Sequence, residues 1–315
     1  MKGKALRDAF GEALIELGRE NEDVVVLDAD VSGSTRTKMF GDVYPDRFFN
    51  VGIAEANMMN MAAGLAACGK VPFVSTFSFL ACLRAGDQLR TSIAYPRLNV
   101  KVGAGYGGMS DSFDGPTHHS LCDIAVARSM PNMTVVVVSD PNQTKKAVKA
   151  VAAYDGPVYL RLSRAEVPYV LPEDAPFVLG KGNLLREGSD LTLVVTGVPL
   201  ARTMEAADRL AKEGVQARVI EMATIKPIDR EILVKAAQET GAVVTVEEHN
   251  IMGGLGSAVA EALVQEAPVP MEFVGIKDTF CESGPYDALL DRYGLSVDDI
   301  VSSAKAVLGR KSRVR

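Results

Sequence analysis

The sequence lacks several features that would identify a metal site. It has no tryptophan, three histidines and four cysteines in 315 residues. The cysteines (Cys68, Cys82, Cys122 and Cys281) show no CxxC pair or other metal-ligand spacing, which argues against a structural zinc site. Cys68 and Cys82 lie in apolar segments, and this context predicts that both are small core residues.

Charge and hydropathy argue against two further classes of protein. The net charge is −6 and the basic residues form no long run, so nucleic-acid binding is not expected. No segment is apolar over the length of a membrane span, and the amino-terminal stretch MKGKALRDAF is too charged for a signal peptide. The default expectation is a cytoplasmic protein without a membrane partner. Hydrophobic residues make up 47% of the chain, so a full core can form.

Short apolar runs alternate with helical periodicities along the whole chain. Residues 156–168 are predicted to form an edge strand, and residues 171–187, which contain Pro, Gly and acidic residues, a linker with a short strand. After the linker, strand and helix patterns alternate regularly. This alternation predicts an α/β fold with two domains, residues 1–170 and 188–315, each a mostly parallel sheet flanked by helices.

One acidic residue begins an unusually apolar helix. In the segment DRFFNVGIAEANMMNMAAGLAACG, a short strand and a turn lead into a helix rich in Ala, Met and Gly, with Glu55 in its first turn. Such a helix is expected to be buried in the domain or at a subunit interface. Glu55 either complements the helix dipole or is a desolvated acid that can hold and pass a proton. The spacing alone leaves both interpretations open.

The loop GAGYGGMSDSFDGPTHHS is the most unusual segment of the chain. It has five glycines between Gly103 and Gly115, and it holds two of the three histidines, His118 and His119. A glycine-rich loop after a strand lets the backbone approach a ligand, although some loops of this kind are only flexible surface. The scarcity of histidine elsewhere favours a functional loop.

Two further segments are candidate ligand contacts. Residues 28–37 (DADVSGSTRT) follow a buried strand, and ligands of open α/β sheets bind at such strand ends. Arg161 and Arg164 alternate with Leu162 and are predicted to share a face. An arginine pair there suits either a phosphate or ordinary ion pairs.

The segment NVGIAEANMMNMAAGLA and the motif DGPTH resemble the transketolase family of thiamine diphosphate enzymes. The resemblance implies that Glu55 contacts N1′ of the cofactor's aminopyrimidine ring and shares a proton with it. It also implies that Phe77 stacks on that ring and that Asp30 lies near the cofactor. Asp114 would contact the α-hydroxyl group of the substrate, and His118 would serve proton transfer.

The same resemblance implies a substrate phosphate site and one departure from the family pattern. Ser34, Arg164 and Arg7 correspond to residues that approach the phosphate. Tyr106 stands where transketolases usually carry a histidine that contacts the donor sugar, so the donor, or the way it is held, is expected to differ. His249, in TVEEHN, matches the C-terminal domain pattern of the family and is expected to be structural.

The diphosphate half of the family's cofactor site is missing from this sequence. That half uses a GDG motif that holds a divalent metal, and no GDG occurs here. The resemblance therefore covers the whole chain but only the C-terminal half of a full-length transketolase, and it implies the second subunit of a split enzyme. Thiamine diphosphate would be shared with a partner subunit, which would hold the Mg²⁺ or other divalent metal. The expected assembly is α2β2.

The implied activity is transfer of a two-carbon ketol unit from a ketose phosphate to an aldose phosphate, a reaction of pentose phosphate metabolism. Three alternatives are a 2-oxo-acid dehydrogenase beta subunit, a 1-deoxyxylulose-5-phosphate synthase-like enzyme and a non-catalytic scaffold subunit. The DGPTH loop argues against the first and the split chain against the second. Intact Glu55 and Asp114 argue against the third.

Overall fold

The computed structural model describes residues 3–314, so residues 1, 2 and 315 of the predicted domains lie outside the described range. The strands are β1 (Lys4–Ala5), β2 (Val24–Asp28), β3 (Phe48–Asn50), β4 (Val71–Phe77), β5 (Lys101–Gly105), β6 (Thr134–Val137), β7 (Val158–Arg161), β8 (Glu166–Val167), β9 (Asn183–Arg186), β10 (Leu191–Val195), β11 (Ala217–Glu221), β12 (Thr224–Lys226), β13 (Val243–Asn250) and β14 (Met271–Ile276). The helices are α1 (Leu6–Glu20), α2 (Ser32–Thr35), α3 (Lys38–Val43), α4 (Glu55–Ala67), α5 (Gly86–Gln88), α6 (Asp123–Ser129), α7 (Pro141–Ala153), α8 (Leu200–Lys212), α9 (Arg230–Thr240), α10 (Leu255–Leu263), α11 (Tyr286–Arg292) and α12 (Val297–Val314). A 3₁₀ turn covers Pro45–Arg47, and two π-helical segments cover Leu80–Arg84 and Leu89–Ala94.

The first sheet has seven strands in the order β12-β6-β7-β5-β4-β2-β3. All neighbours are parallel except β12, which runs antiparallel to β6. The predicted edge position of β7 is wrong, because β7 pairs with both β5 and β6. All four of its residues are buried, as expected for a central parallel strand covered on both faces.

The second sheet has five strands in the order β14-β13-β10-β11-β9, parallel except for β9 at the edge. Helices flank both sheets, so the prediction of an α/β fold with two mostly parallel sheets is confirmed. The helix ends follow capping rules. Asp140 and Asp229 accept hydrogen bonds from the backbone N–H groups of Gln143 and Ile232, and so begin α7 and α9. No helix within residues 3–314 is long and apolar enough to cross a membrane.

The two halves of the chain share a sheet and an apolar core. Strand β12 comes from the second half but completes the first sheet through its pairing with β6. At the same junction, the buried Glu221 accepts hydrogen bonds from Ser139 Oγ (2.8 Å) and Gln143 Nε2 (3.0 Å). One apolar core cluster contains residues of both halves, including Val135 of β6 and Ile220 of β11.

Helix α4 is only half buried. Its inner face is formed by Met58, Met59, Ala62 and Ala63 with Glu55, while Asn57, Asn60, Met61 and Gly64 are exposed. Burial inside the domain therefore covers only one face of α4. The other expected location, a subunit interface, is open to the exposed face. The prediction that Cys68 is a core residue is wrong, because Cys68 lies just after the last turn of α4 and is exposed. Cys82 is buried as expected.

Candidate active site

The candidate site lies at one edge of the first sheet. Strands β3, β2, β4, β5 and β7 are parallel neighbours, so their carboxyl ends point to the same side. Asp30 follows β2, Glu55 follows β3, Phe77 ends β4, Tyr106 follows β5 and Arg164 follows β7. Ligands of α/β sheets bind at such an edge, because the loops there converge.

A buried carboxylate fixes the loop after β2. Asp28 accepts hydrogen bonds from the hydroxyl groups of Thr35 and Thr37 (both 2.7 Å) and from the backbone N–H of Val31 (2.7 Å). Burial raises the pKa of Asp28, and these three donors oppose the shift. The loop carries Asp30, which is exposed and has a left-handed backbone conformation (φ 64°), as well as Ser34. Ser34 lies in the short helix α2 rather than in an irregular loop.

Glu55 is a buried acid with one distant charged partner. It is the first residue of α4 and is 2% exposed. Its Oε2 atom lies 3.6 Å from Nη1 of Arg84, whose side chain is 58% exposed. This burial favours the desolvated acid over a solvated partner of the helix dipole.

Tyr106 links the aromatic and cationic parts of the site. Its ring centroid lies 4.4 Å from that of Phe77, and its hydroxyl group accepts a hydrogen bond from Arg7 Nη1 (2.5 Å). The guanidinium groups of Arg7 and Arg164 lie 5.4 and 5.3 Å from the centre of the Tyr106 ring. Arg7 Nη1 also donates to the carbonyl oxygen of Ser34 (3.0 Å). Tyr106 is 3% exposed, and its buried ring packs against both guanidinium groups.

Arg164 forms an ion pair, one of the two uses expected for this arginine, with a partner that the sequence did not identify. Arg164 Nη1 lies 2.6 Å from Oδ1 of Asp111, which is completely buried, whereas the Arg164 side chain is 43% exposed. Burial raises the pKa of Asp111, with a further contribution from the nearby Asp114, and Arg164 opposes that shift. Asp114 itself is exposed. The guanidinium group of Arg164 is therefore half exposed, and its Nη1 atom is held by the buried Asp111 carboxylate.

The two histidines of the loop differ in their surroundings. His118 packs edge-on against Phe79 (ring centroids 5.4 Å apart) and Phe77 (6.3 Å), and its Nδ1 atom lies 3.0 Å from the Thr117 hydroxyl oxygen. His119 is 8% exposed, and neither of its ring nitrogens has a partner among the described residues. Burial lowers the pKa of His119. A cavity of about 430 Å³ lies beside this loop, with His119 and Phe79 in its wall.

Arg161 does not share a face with Arg164, and that prediction is wrong. Arg161 is 5% exposed and binds Asp123 through Nε (2.7 Å) and the carbonyl oxygen of Ser120 through Nη2 (2.9 Å). Burial alone would raise the pKa of Asp123, but the Arg161 guanidinium outweighs it and lowers the value. The strand ends at Arg161, so the chain turns before Arg164. Arg164 is the arginine of this pair that faces solvent.

His249 is enclosed by backbone atoms. It is completely buried, its Nδ1 lies 2.7 Å from the Asn250 carbonyl oxygen, and its Nε2 accepts a hydrogen bond from the N–H of Ala125 (3.4 Å). These contacts join the two halves of the chain and lie apart from the sheet edge that carries Glu55. They agree with a structural role.

The residues at the sheet edge fit part of a cofactor. A buried carboxylic acid at Glu55 and a half-buried ring at Phe77 suit an aminopyrimidine, which needs a proton partner at a ring nitrogen and an aromatic face. Over residues 3–314, no group of three or more His, Cys, Asp or Glu side chains is placed to hold a metal ion.

Comparison with known proteins identifies the family. The fold and the sheet edge define a two-domain α/β protein with a candidate ligand site where parallel strands end. The family models "Transketolase, pyrimidine binding domain" and "Transketolase, C-terminal domain" match residues 2–170 and 180–300. The chain belongs to the transketolase family, and it corresponds to the C-terminal half of the full-length enzymes. Membership in this family implies dependence on thiamine diphosphate.

Several relatives of similar length are described as a section, a subunit or a split-gene form of transketolase. A putative transketolase C-terminal section from Methanocaldococcus jannaschii is 46% identical over 300 residues, which are 94% of each chain. The 6-deoxy-6-sulfo-D-fructose transketolase subunit SqwH of Clostridium sp. is 42% identical and covers 98% of this chain and 95% of its own. A solved structure described as a split gene transketolase, inactive beta4 tetramer, is 49% identical with a TM-score of 0.91, and the match covers 98% of this chain and 99% of that one.

A second group of relatives is about twice as long. The 1-deoxy-D-xylulose-5-phosphate synthase 1 of Geobacter sulfurreducens is 37% identical, and 96% of this chain matches 48% of that protein. The chain thus spans about half the length of this relative. The sequence of this chain also contains no GDG motif.

Proposed function

We propose that this chain is the C-terminal subunit of a split transketolase that transfers a two-carbon ketol unit from a ketose phosphate to an aldose phosphate. The observation that carries the proposal is the convergence, at one sheet edge, of a buried acid, Glu55, with a cationic pair, Arg7 and Arg164. The acid suits a cofactor ring, and the cations suit a sugar phosphate.

Glu55 and Phe77 are assigned to the cofactor side, with Asp30 at the rim. When bound, thiamine diphosphate supplies the electron sink for breaking and forming a carbon–carbon bond beside a carbonyl group. Glu55 is assigned to the pyrimidine ring nitrogen, because its buried carboxyl group lies at the ligand-binding edge and can share a hydrogen bond with that nitrogen. Phe77 provides an aromatic surface for the ring.

The substrate side is assigned to the loop 105–121 and to the arginines beside it. Arg164 has a half-exposed guanidinium and can share its charge between Asp111 and a phosphate. Arg7, held by Ser34 and Tyr106, lies against the same Tyr106 ring as Arg164 and completes the proposed anion site. The exposed Asp114 and the half-buried His118 are free to contact substrate hydroxyl groups and to move protons.

The cofactor is shared with a second chain in this proposal. The partner carries the diphosphate motif and the divalent metal, and two copies of each chain form an α2β2 assembly. Support comes from the relatives, whose names describe a C-terminal section and a transketolase subunit, and from the related structure described as an inactive beta4 tetramer.

The alternative enzyme is a 1-deoxyxylulose-5-phosphate synthase-like protein, favoured by the 37% identity to such a synthase. The higher identities to the transketolase C-terminal section (46%) and to the transketolase subunit (42%) favour ketol transfer instead. A scaffold subunit without catalytic residues is less compatible with a carboxylate kept 98% out of solvent at a ligand-binding edge, since burying an unused acid destabilises a fold.

The test is reconstitution. The purified chain should show no ketol transfer from a ketose phosphate, and addition of its diphosphate-domain partner with thiamine diphosphate and Mg²⁺ should produce activity. A coupled assay of the aldose phosphate released measures it. Robust activity of the isolated chain would contradict the split-subunit proposal.

A control separates the scaffold and synthase alternatives. Supplying pyruvate and glyceraldehyde 3-phosphate to the same pair tests for synthase activity, and a ketose donor tests for ketol transfer. Activity only with pyruvate would replace the proposed reaction. If the two chains form a stable complex but show neither activity when thiamine diphosphate is added, the result would favour the scaffold.

A further inference from the structure

A second buried acid, Glu248, lies where the two halves of the chain meet the glycine-rich loop. It belongs to β13 of the second sheet and is 2% exposed. Its Oε1 atom accepts a hydrogen bond from the backbone N–H of Met109 (2.6 Å), which lies in the loop of the candidate site.

The loop is fixed to β13 at both ends. At its start, Gly108 pairs with Ser120 in an antiparallel bridge, and Met109 binds Glu248. At its end, the N–H of Asn250 donates to the Leu121 carbonyl oxygen (2.9 Å). Arg161 Nη2 joins both sides, because it donates to the carbonyl oxygens of Ser120 (2.9 Å) and Glu248 (3.1 Å). The residues between these anchors, 110–119, include the substrate-side groups.

Close approach of the carboxylate requires a glycine in the loop. A Cβ atom on Gly108 would lie 2.2 Å from Glu248 Cδ and 2.3 Å from its Oε1, and Gly108 has a left-handed backbone (φ 69°). The Glu248 carboxylate thus occupies the space that a side chain at position 108 would fill. This close fit fixes the distance between the loop and β13.

We propose that Glu248 is a positioning residue, which acts across the domain junction through Met109 to hold the loop that carries Asp111, Asp114 and His118 in its working position. This proposal rests on the proposed function for its effect on turnover, but its structural part concerns the loop alone. The Glu248 carboxylate accepts the Met109 N–H, so it is not assigned a contact with substrate.

The charge of Glu248 is adjustable near neutral pH. Burial raises its pKa to about 7, and Arg161 and the Met109 N–H oppose that shift. The other groups that face it are Tyr286 of α11, Asp123 of α6 and Cys281. Ionising the enclosed carboxylate costs free energy for the fold as a whole. The ionised form nevertheless accepts the Met109 N–H more strongly than the protonated form, so the loop itself is held more firmly above pH 7 than below it.

The first experiment measures the loop directly in the full chain. Hydrogen–deuterium exchange of peptides covering 105–122 at pH 8 should be at least about 10-fold faster in Glu248→Ala than in the wild type, since a hydrogen bond to a buried charge is lost. Glu247→Gln is the matched control. Glu247 is the neighbouring buried acid, and it accepts from the N–H groups of Leu255 and Gly256 instead. It should speed exchange at 253–258 and leave 105–122 unchanged.

The second variant, Glu248→Gln, keeps the shape and an acceptor oxygen but not the charge. In the wild type, protection of 105–122 relative to a reference peptide should fall by up to about 10-fold between pH 8 and pH 6, and in Glu248→Gln this pH dependence should be absent. Equal protection in Glu248→Ala and wild type, or an unchanged pH dependence in Glu248→Gln, would overturn the proposal.

Activity of the reconstituted pair distinguishes this proposal from the proposed function. Glu248→Gln should lower kcat/KM at pH 8 and flatten its decline toward pH 6, whereas Glu247→Gln should keep the wild-type profile shape. A wild-type pair without ketol transfer would refute the proposed function and leave the exchange result standing. Normal exchange with altered activity would refute the positioning role instead.

Discussion

At the scale of single residues, the site separates two uses of a buried carboxylate. Asp28 is buried and has three hydrogen-bond donors, so it fixes a loop. Glu55 is 2% exposed, and its ion pair within residues 3–314 is the 3.6 Å contact with Arg84. A buried acid at the sheet edge that does not fix a loop is available to a ligand, and this difference makes Glu55 the residue to test.

Replacing Glu55 by Gln should leave the fold intact and lower turnover. The amide has the same shape but cannot hold and pass the proton, so kcat of the reconstituted pair at saturating thiamine diphosphate should fall by about 10²–10⁴-fold. Steady-state kinetics measure the loss, and thermal unfolding of the variant checks the fold.

Glu231→Gln is the matched control for that change. Glu231 also lies in the first turn of a helix, α9, but its side chain is 86% exposed and remote from the sheet edge. It should alter kcat by less than about twofold. Near-normal turnover of Glu55→Gln would remove Glu55 from the mechanism.

Residue roles could be predicted from the sequence only where a motif named them. Arg164 was singled out in this way, but its buried partner Asp111 was not, because the two are 53 positions apart and meet only in the fold. Glu248 was missed for the same reason. Cys68 shows the limit of local context, since an apolar neighbourhood in the sequence does not reveal that a helix end points to solvent.

At the scale of elements, α4 packs one face against the core and exposes the other face to solvent. Gly64 lies on the open face, and a Cβ there would meet nothing within 4 Å. Met61 on the same face is 37% exposed, and Ile53, just before the helix, is 74% exposed. An exposed helix face that combines these apolar groups with a small residue is suited to close contact with another subunit.

Gly64→Ala should therefore have opposite effects on the chain and on its assembly. It should stabilise the monomeric fold by about 0.5–1 kcal/mol, because alanine favours a helix over glycine. It should weaken self-association by about 10-fold, because the added methyl group overpacks a close contact. Urea denaturation and analytical ultracentrifugation measure the two effects.

Gly309→Ala provides the control in another helix. Gly309 of α12 is exposed and also has open space at its Cβ position. It should give the same gain in stability and no change in association. Unchanged association of Gly64→Ala would mean that the α4 face is not an interface.

Strands and helices with a strong apolar period were predictable, and short elements were not. The largely apolar run MEFVGI forms β14. Strand β12 has three residues, and its pairing with the distant β6 leaves no local pattern. The helix α2 was hidden in a loop of small polar residues, because its geometry depends on Thr35 and Thr37 binding Asp28.

At the scale of the whole molecule, buried charges of both signs make stability depend on pH. Burial raises the pKa of Glu248 from 4.5 to about 7, so between these values the folded chain binds more protons than the unfolded chain and the free energy of unfolding falls as pH rises. Burial lowers the pKa of Lys101 from 10.5 to about 7. Between 7 and 10.5 the unfolded chain binds more protons, so the free energy of unfolding rises with pH.

These two groups together should give a minimum of stability near pH 7. Each contributes a slope of at most about 1.4 kcal/mol per pH unit. Urea denaturation from pH 5 to pH 9 should reveal the minimum. Glu248→Gln should flatten the acid side and Lys101→Met the alkaline side.

Lys305→Met is the control for the second variant, because Lys305 is half exposed on the surface of α12. It should leave the alkaline slope unchanged. A monotonic pH dependence in the wild type, or identical slopes in Lys101→Met and Lys305→Met, would contradict this prediction.

Strand β12 has a consequence for recombination between relatives. The second half of the chain supplies Thr224–Lys226 to the edge of the first sheet, beside the valines of β6. A chimera that replaced everything after residue 187 with a foreign domain would have to bring an equivalent strand. Without it, the backbone of β6 would be left unpaired, and open strand edges invite aggregation.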